Sequence, residues 1–308
     1  MFQLDDLLHS VLSPSPLGLA VAILLVLTIP LFLHSFVFRA SGLTSLPSIL
    51  LIGPSGSGKT SLLTLVLQMT LIIRCLGTNS SQFERGKHAA THTSQAPLAV
   101  ECSLPMGTNA ASSKYRSIND PANQTYKKFL LVDTPGHGKL RNYALDSITN
   151  PQSLKGIVFL LDAAGMSTGG EGVRQASEYI HDVLLLLQKH ITNPKTSRAF
   201  KGLSVLIAAN KMDLFTALPA TLVKTNLETE ITKIRDSKSK ALLDSGISMG
   251  DGVEVEEKDD WLGEMGSSQF RLSQMSEFNI TVEVVGGNVL GTDGAHVDKW
   301  WAWIGERL

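Results

Sequence analysis

Apolar residues along this chain fall into short continuous runs separated by stretches with helical spacing. Residues 48–53, 156–161 and 203–209 are apolar at nearly every position, the pattern of strands buried on both faces of a parallel sheet. Residues 96–104, 128–132 and 279–285 are further strand candidates. Between them, residues 60–76 and 172–190 read as helices, and 222–243 carries Leu227, Ile231 and Ile234 on one helical face. Residues 295–308 form a last helix whose Trp300, Trp301 and Trp303 suit helix–sheet packing. Strands alternating with helices predict a doubly wound α/β fold, a mostly parallel sheet with helices on both faces.

A different pattern comes first. Residues 17–38 carry no formal charge over about 22 positions, enough to cross ~30 Å of hydrocarbon as a helix. Pro30 is tolerated in such a helix. Asp5 and Asp6, with no Lys or Arg ahead of the run, argue against a cleaved signal peptide. Apolar residues on every face argue against a core helix. The expected organisation is a short tail at 1–16, a transmembrane helix at 17–38, a linker at 39–45 and a folded domain over 46–308. Acidic residues before the span and Arg39 after it favour a cytosolic C-terminal domain. Within that domain, residues 77–93 read as a mobile polar loop, and residues 246–264, with an acidic run at 254–260, as a solvated insertion.

Composition narrows the picture in two ways. The 308 residues hold 27 Lys and Arg against 28 Asp and Glu, a net charge of −1, so no direct nucleic-acid binding is expected. Cys75 and Cys102 are the only cysteines, which points to a reducing compartment and leaves no zinc-type spacing.

Three motifs then supply chemistry, each at the end of a predicted strand. Gly53-Pro54-Ser55-Gly56-Ser57-Gly58-Lys59-Thr60 fits the phosphate-binding P-loop pattern, between a strand and a helix that continues through Ser61. Its glycines let backbone N–H groups turn onto phosphate oxygens at a helix N-terminus. Lys59 would bridge the β- and γ-phosphates, and the Thr60 hydroxyl would ligate Mg²⁺. Asp133-Thr134-Pro135-Gly136-His137 follows the strand at 128–132; Asp133 can hold Mg²⁺ through water, and Gly136 can offer its N–H to a γ-phosphate. Asn210-Lys211-Met212-Asp213 follows the strand at 203–209. Asp213 can accept two bonds from N1–H and the exocyclic amine of guanine, while adenine would leave the carboxylate unpaired. Asn210 can hold N7, and the Lys211 stem can cover the base. The expected ligands are therefore GTP and Mg²⁺.

In this order the motifs resemble those of the small GTPase superfamily, from about residue 49 onward. A hydrophobic span directly before an Arf-like domain is similar to the family of signal recognition particle receptor beta subunits. So are Leu227-Glu228-Thr229-Glu230-Ile231 leading into Ile234-Arg235, then Phe270-Arg271-Leu272-Ser273-Gln274, and Asp298-Lys299-Trp300. The resemblance implies a GTP-dependent partnership with the receptor's alpha subunit at the endoplasmic reticulum membrane, in cotranslational protein targeting. It makes Thr93 the candidate switch threonine for Mg²⁺ and γ-phosphate, with Thr91 and Ser94 as rivals. Two departures stand out. The usual fifth motif is absent, with Glu283-Val284-Val285-Gly286 where it is expected. The catalytic position after Gly136 is His137, not glutamine, which implies at most slow intrinsic hydrolysis. Two other readings stay open: an Arf-like trafficking GTPase, and a nucleotide-stabilised membrane anchor without turnover.

Overall fold

The computed structural model describes residues 23–29, 46–76, 94–104, 127–149, 153–167, 170–192, 202–244, 262–263, 268–291 and 294–308. The chain divides into two units, 1–45 and 46–308. In the first, residues 23–29 are helical, with Ile23, Leu24 and Val26 exposed. Most of the expected span at 17–38, and all of the linker at 39–45, lie outside the described residues. Among the described residues no helix is long and apolar enough to cross a membrane.

The second unit is built on a six-stranded sheet. In chain order the strands are β1 (Ser48–Ile52), β2 (Leu98–Ser103), β3 (Lys128–Asp133), β4 (Leu154–Asp162), β5 (Leu203–Asn210) and β6 (Ile280–Gly286). Their spatial order is β2-β3-β1-β4-β5-β6, parallel throughout except for β2, which runs antiparallel to β3 at one edge. The central strands are apolar at consecutive positions because both faces are covered. Leu50 and Ile52 of β1, Ile157, Phe159 and Leu161 of β4, and Val205 and Ile207 of β5 join one core cluster. The residues between them, Ile49, Leu51, Val158, Leu160 and Leu206, join the other. This is the period of two that a pleated strand imposes.

Helix α1 (Lys59–Leu76) and the last helix, α5 (Asp298–Arg307), cover one face. Trp300, Trp301 and Trp303 are buried there, and Trp300 Nε1 donates to the Val285 carbonyl at 3.2 Å, so these rings pack the sheet as expected. Helices α2 (Asn142–Thr149), α3 (Glu171–Thr192) and α4 (Ala220–Asp244) cover the other face. The hydrophobic pattern does not announce α2: it buries only Ala144 and Ile148, one helical turn apart, too few for a visible stripe.

The segments around 227 and 270 meet in space. The Phe270 N–H donates to Thr232 Oγ1 at 3.0 Å and the Leu272 N–H to Glu228 Oε1 at 2.9 Å, while the Arg235 guanidinium lies 5.8 Å from the Phe270 ring centre. The acidic insertion needs one correction. Most of 246–264 lies outside the described residues, but its Leu262 is fully buried in the core, and the Gly263 N–H donates to Gln188 Oε1 at 3.0 Å. One apolar residue beside a run of charges is enough to pin that end to α3.

Candidate functional site: a P-loop nucleotide pocket

The parallel strands end at one edge of the sheet, and the three motifs leave the C-terminal tips of β3, its neighbour β1, and β5, which β4 separates from β1. Leaving β1, Gly53 adopts φ 145°, and a Cβ there would run into the Leu160 carbonyl oxygen of β4. Gly58 adopts φ 97°, with its Cβ direction taken by Asn210 Nδ2. No other residue type meets both demands. Ser55 and Gly56 are exposed at the loop crest, whereas Ser57 and Lys59 are buried. Thr60 and Ser61 are half-buried in the first turn of α1.

Lys59 Nζ donates to the Gly53 and Pro54 carbonyls, each at 2.8 Å, with Ser57 Oγ at 3.5 Å. Burial lowers its pKa from 10.5 to about 8, against the opposing pull of Asp133. Asp133 leaves the tip of β3, in register with Leu51 of β1. Burial likewise raises its carboxyl, against the pull of Lys59 and of its hydrogen bonds. Each group is thus desolvated more than the other compensates. Thr60 Oγ1 donates to Asp133 Oδ2 at 3.2 Å, while Asp133 Oδ1 is buried with no hydrogen-bond partner. A bare carboxylate oxygen beside a hydroxyl is a pair of hard oxygen atoms, a donor set that fits Mg²⁺.

Thr134 ties this motif to β1: its N–H and its hydroxyl both donate to the Leu51 carbonyl, at 3.2 and 2.9 Å. Gly136 lies so close to the P-loop that a Cβ would collide with Lys59 Nζ and stand 2.8 Å from the Gly53 carbonyl oxygen. His137 turns away. It is exposed, and its Nδ1 accepts the Lys139 N–H at 3.3 Å, capping the short turn Gly138–Leu140 and leaving Nε2 as the protonated nitrogen of the neutral ring. Thr93 and Thr91 lie outside the described residues; Ser94 donates its hydroxyl to the Ala96 carbonyl at 3.0 Å.

On the other side of the P-loop, Asn210 is engaged with the protein itself. Its Nδ2 donates to the Ser57 carbonyl at 2.8 Å, and its Oδ1 accepts the Val289 N–H at 3.0 Å, so one buried amide knits the P-loop to the segment after β6. One N–H of Nδ2 remains for a ligand. Lys211 adopts φ 64° and its Nζ is paired with Asp162 at the tip of β4. Asp213 is exposed, and Gly291 lies beside it, a Cβ at 291 standing at van der Waals distance, 3.5 Å, from the Asp213 Cβ. The expected fifth motif moves accordingly. Residues 283–286 are the end of β6, and the segment that reaches Asn210 and Asp213 is 287–291.

Sequence reasoning missed Asp162, Arg141 and this last loop. Asp162 did carry a signal, being an acid at the end of an apolar run. The Arg141 guanidinium lies 4.5 Å from the Tyr179 ring centre, a contact between α3 and the turn before α2 that no spacing rule reveals. Burial pushes the Tyr179 hydroxyl up to about 12.

Fold and site together define a P-loop GTPase domain, with phosphate loop, metal-type carboxylate and guanine-type tetrapeptide at the C-terminal tips of β1, β3 and β5. The profile of the family "Signal recognition particle receptor beta subunit" matches residues 44–278, and the chain belongs to that family. It is 28% identical over 263 residues to signal recognition particle receptor subunit beta of Saccharomyces cerevisiae, covering 85% of this chain and 84% of the yeast protein. Among solved structures it is similar to "Signal recognition particle receptor SRb-GTP/SRX complex from Chaetomium thermophilum", at 39% identity and TM-score 0.64, covering 85% of this chain and 100% of that one. The SRb-GDP-Mg structure from the same organism has 39% identity and TM-score 0.57, covering 85% of this chain and 98% of that one.

Proposed function

We propose that the chain binds GTP with Mg²⁺ and, as the membrane-anchored beta subunit of a signal recognition particle receptor, docks the alpha subunit for cotranslational protein targeting. The observation that carries this reading is the contact of Gly136 with Lys59 and the P-loop carbonyls, where only a glycine fits. The segment able to report a terminal phosphate thereby abuts the lysine suited to hold it. In this reading the N–H groups of Gly53, Ser55, Gly56, Ser57, Gly58, Thr60 and Ser61 surround the phosphates, and Lys59 neutralises their charge. Asp133, Thr60 and Thr93 hold Mg²⁺, which supplies charge neutralisation across the phosphates. Asn210, Lys211 and Asp213 select guanine. Relatives described as a GTP complex with SRX and as a GDP-Mg form support the ligand and the partner.

Residues 17–38 serve as a single-pass anchor in the endoplasmic reticulum membrane, with 46–308 in the cytosol. The full-length protein then resists carbonate extraction, and release by carbonate overturns the anchor. Intrinsic hydrolysis is slow, because unassisted small GTPases turn over at roughly 10⁻⁴ s⁻¹ and His137 faces its own turn. GTP acts chiefly as a docking ligand. The decisive experiment compares recovery of the alpha subunit on protein loaded with GDP and with a non-hydrolysable GTP analogue. Recovery should need the γ-phosphate; equal recovery in both states removes the switch and leaves a nucleotide-stabilised anchor.

A further inference from the structure

We propose that Asp162 is a positioning residue for the guanine base, acting through Lys211; the proposal rests on the guanine-nucleotide reading above. Asp162 is the last residue of β4, directly opposite Asn210 of β5 in the parallel register. Its two carboxylate oxygens do different work. Oδ1 accepts the Ala164 N–H at 3.0 Å and caps the short turn Ala163–Gly165, which fixes the carboxylate against its own strand. Oδ2, so oriented, holds Lys211 Nζ.

Lys211 needs such a hold. It adopts φ 64°, a left-handed conformation that a long side chain rarely takes, and about a third of the side chain is exposed. A lysine left to itself there would sample many rotamers, and ordering its four-carbon stem over a base would oppose binding entropically. The ion pair removes that freedom in advance and lays the stem between the tips of β4 and β5. The turn that Asp162 caps is itself braced from beyond the tetrapeptide, by the Leu218 N–H on the Ala163 carbonyl at 3.1 Å and by Asn226 Nδ2 on the Met166 carbonyl at 3.0 Å. The lysine is therefore anchored to a rigid strand end, not to a loop. In the guanine reading the stem covers the base and not the phosphates, so the effect should fall on GDP and GTP alike, unlike any effect routed through Gly136.

The test uses the full-length protein in detergent and the dissociation rate of fluorescent GDP and GTP analogues. A part-exposed ion pair of this kind supports a change of roughly fivefold. Asp162→Ala should speed release of both nucleotides by that factor. Lys211→Ala should speed it at least as much, and Asp162→Asn combined with Lys211→Ala should match the Lys211→Ala single variant, because the turn stays capped and the side chain at 162 then has nothing left to position. Asp162→Asn keeps the bond from the Ala164 N–H but turns an amide N–H₂ donor toward Lys211 Nζ, so it breaks the ion pair without uncapping the turn and should speed release by no more than Asp162→Ala; it also carries the test if the alanine variant does not fold. Unchanged release in both Asp162 variants, or losses that simply add in the double variant, overturns the proposal. Wild-type protein that retains neither analogue overturns the nucleotide reading itself, and this proposal with it.

Discussion

The two ends of the pocket are built differently. At the guanine end two of the three side chains are already bonded to protein, Asn210 to Ser57 and Val289 and Lys211 to Asp162, while Asp213 is exposed. At the phosphate end the charged groups are buried ahead of their compensation, with Lys59 lowered to about 8, the Asp133 carboxyl raised, and Asp133 Oδ1 without a donor. The contrast follows from what each end must do. Guanine recognition depends on shape and hydrogen-bond direction, which preorganisation sharpens. Phosphate and metal bring strong charge of their own, so a buried ammonium and carboxylate whose charge the protein only partly offsets bind them the more firmly.

The largest test of that contrast is Asp213→Asn. It should lower GTP affinity by roughly 10⁴-fold while xanthosine triphosphate binds in its place, since a site built to pair an amine rejects ligands lacking it to that degree. Calorimetry with both nucleotides decides the matter, and a variant that still prefers GTP removes Asp213 from base selection. Asn210→Ala comes next. It orphans the buried Ser57 carbonyl and Val289 N–H, so about 2–4 kcal/mol of stability should be lost even without nucleotide. Thermal unfolding of the nucleotide-free protein reads this directly; an unshifted midpoint shows that the guanine end is not prebuilt.

A smaller effect probes the phosphate end through pH. Lys59 is held near 8 in the folded protein against 10.5 ordinarily, so between those values the unfolded chain binds the extra proton. Stability of the nucleotide-free protein should therefore rise with pH across that window. Phosphate favours the charged ammonium, so binding takes up a proton above pH 8, and GTP affinity should fall by up to about tenfold per pH unit. Lys59→Arg should abolish the dependence; a wild-type affinity flat from pH 7.5 to 9.5 shows that Lys59 is charged throughout. The smallest effect belongs to His137→Ala. The ring is exposed and, among the described residues, bonded to the Lys139 N–H alone, so nucleotide affinity should stay within roughly twofold of wild type. A larger loss means that His137 enters the pocket when nucleotide binds.

Much of this protein is legible in the order of its amino acids. The phosphate loop, Asp133, Gly136 and the Asn210–Asp213 tetrapeptide are local devices whose geometry follows from a few adjacent residues: glycines for φ 145° and 97°, and a strand tip to aim an acid. The central strands declare themselves because burial on both faces leaves no polar position to break the run. Tertiary structure alone decided the rest. Helix α2 buries two side chains and hides in the pattern. The segment that reaches Asn210 and Asp213 lies at 287–291 because β6 runs on to Gly286. Leu262 is core despite its acidic neighbours, and Asp162 owes its role to standing beside Asn210 across a parallel pair of strands, 48 positions away in sequence. Spacing reports contacts within a turn or a strand; it carries no information about which strand tips become neighbours, because that choice is made by the packing of the whole sheet.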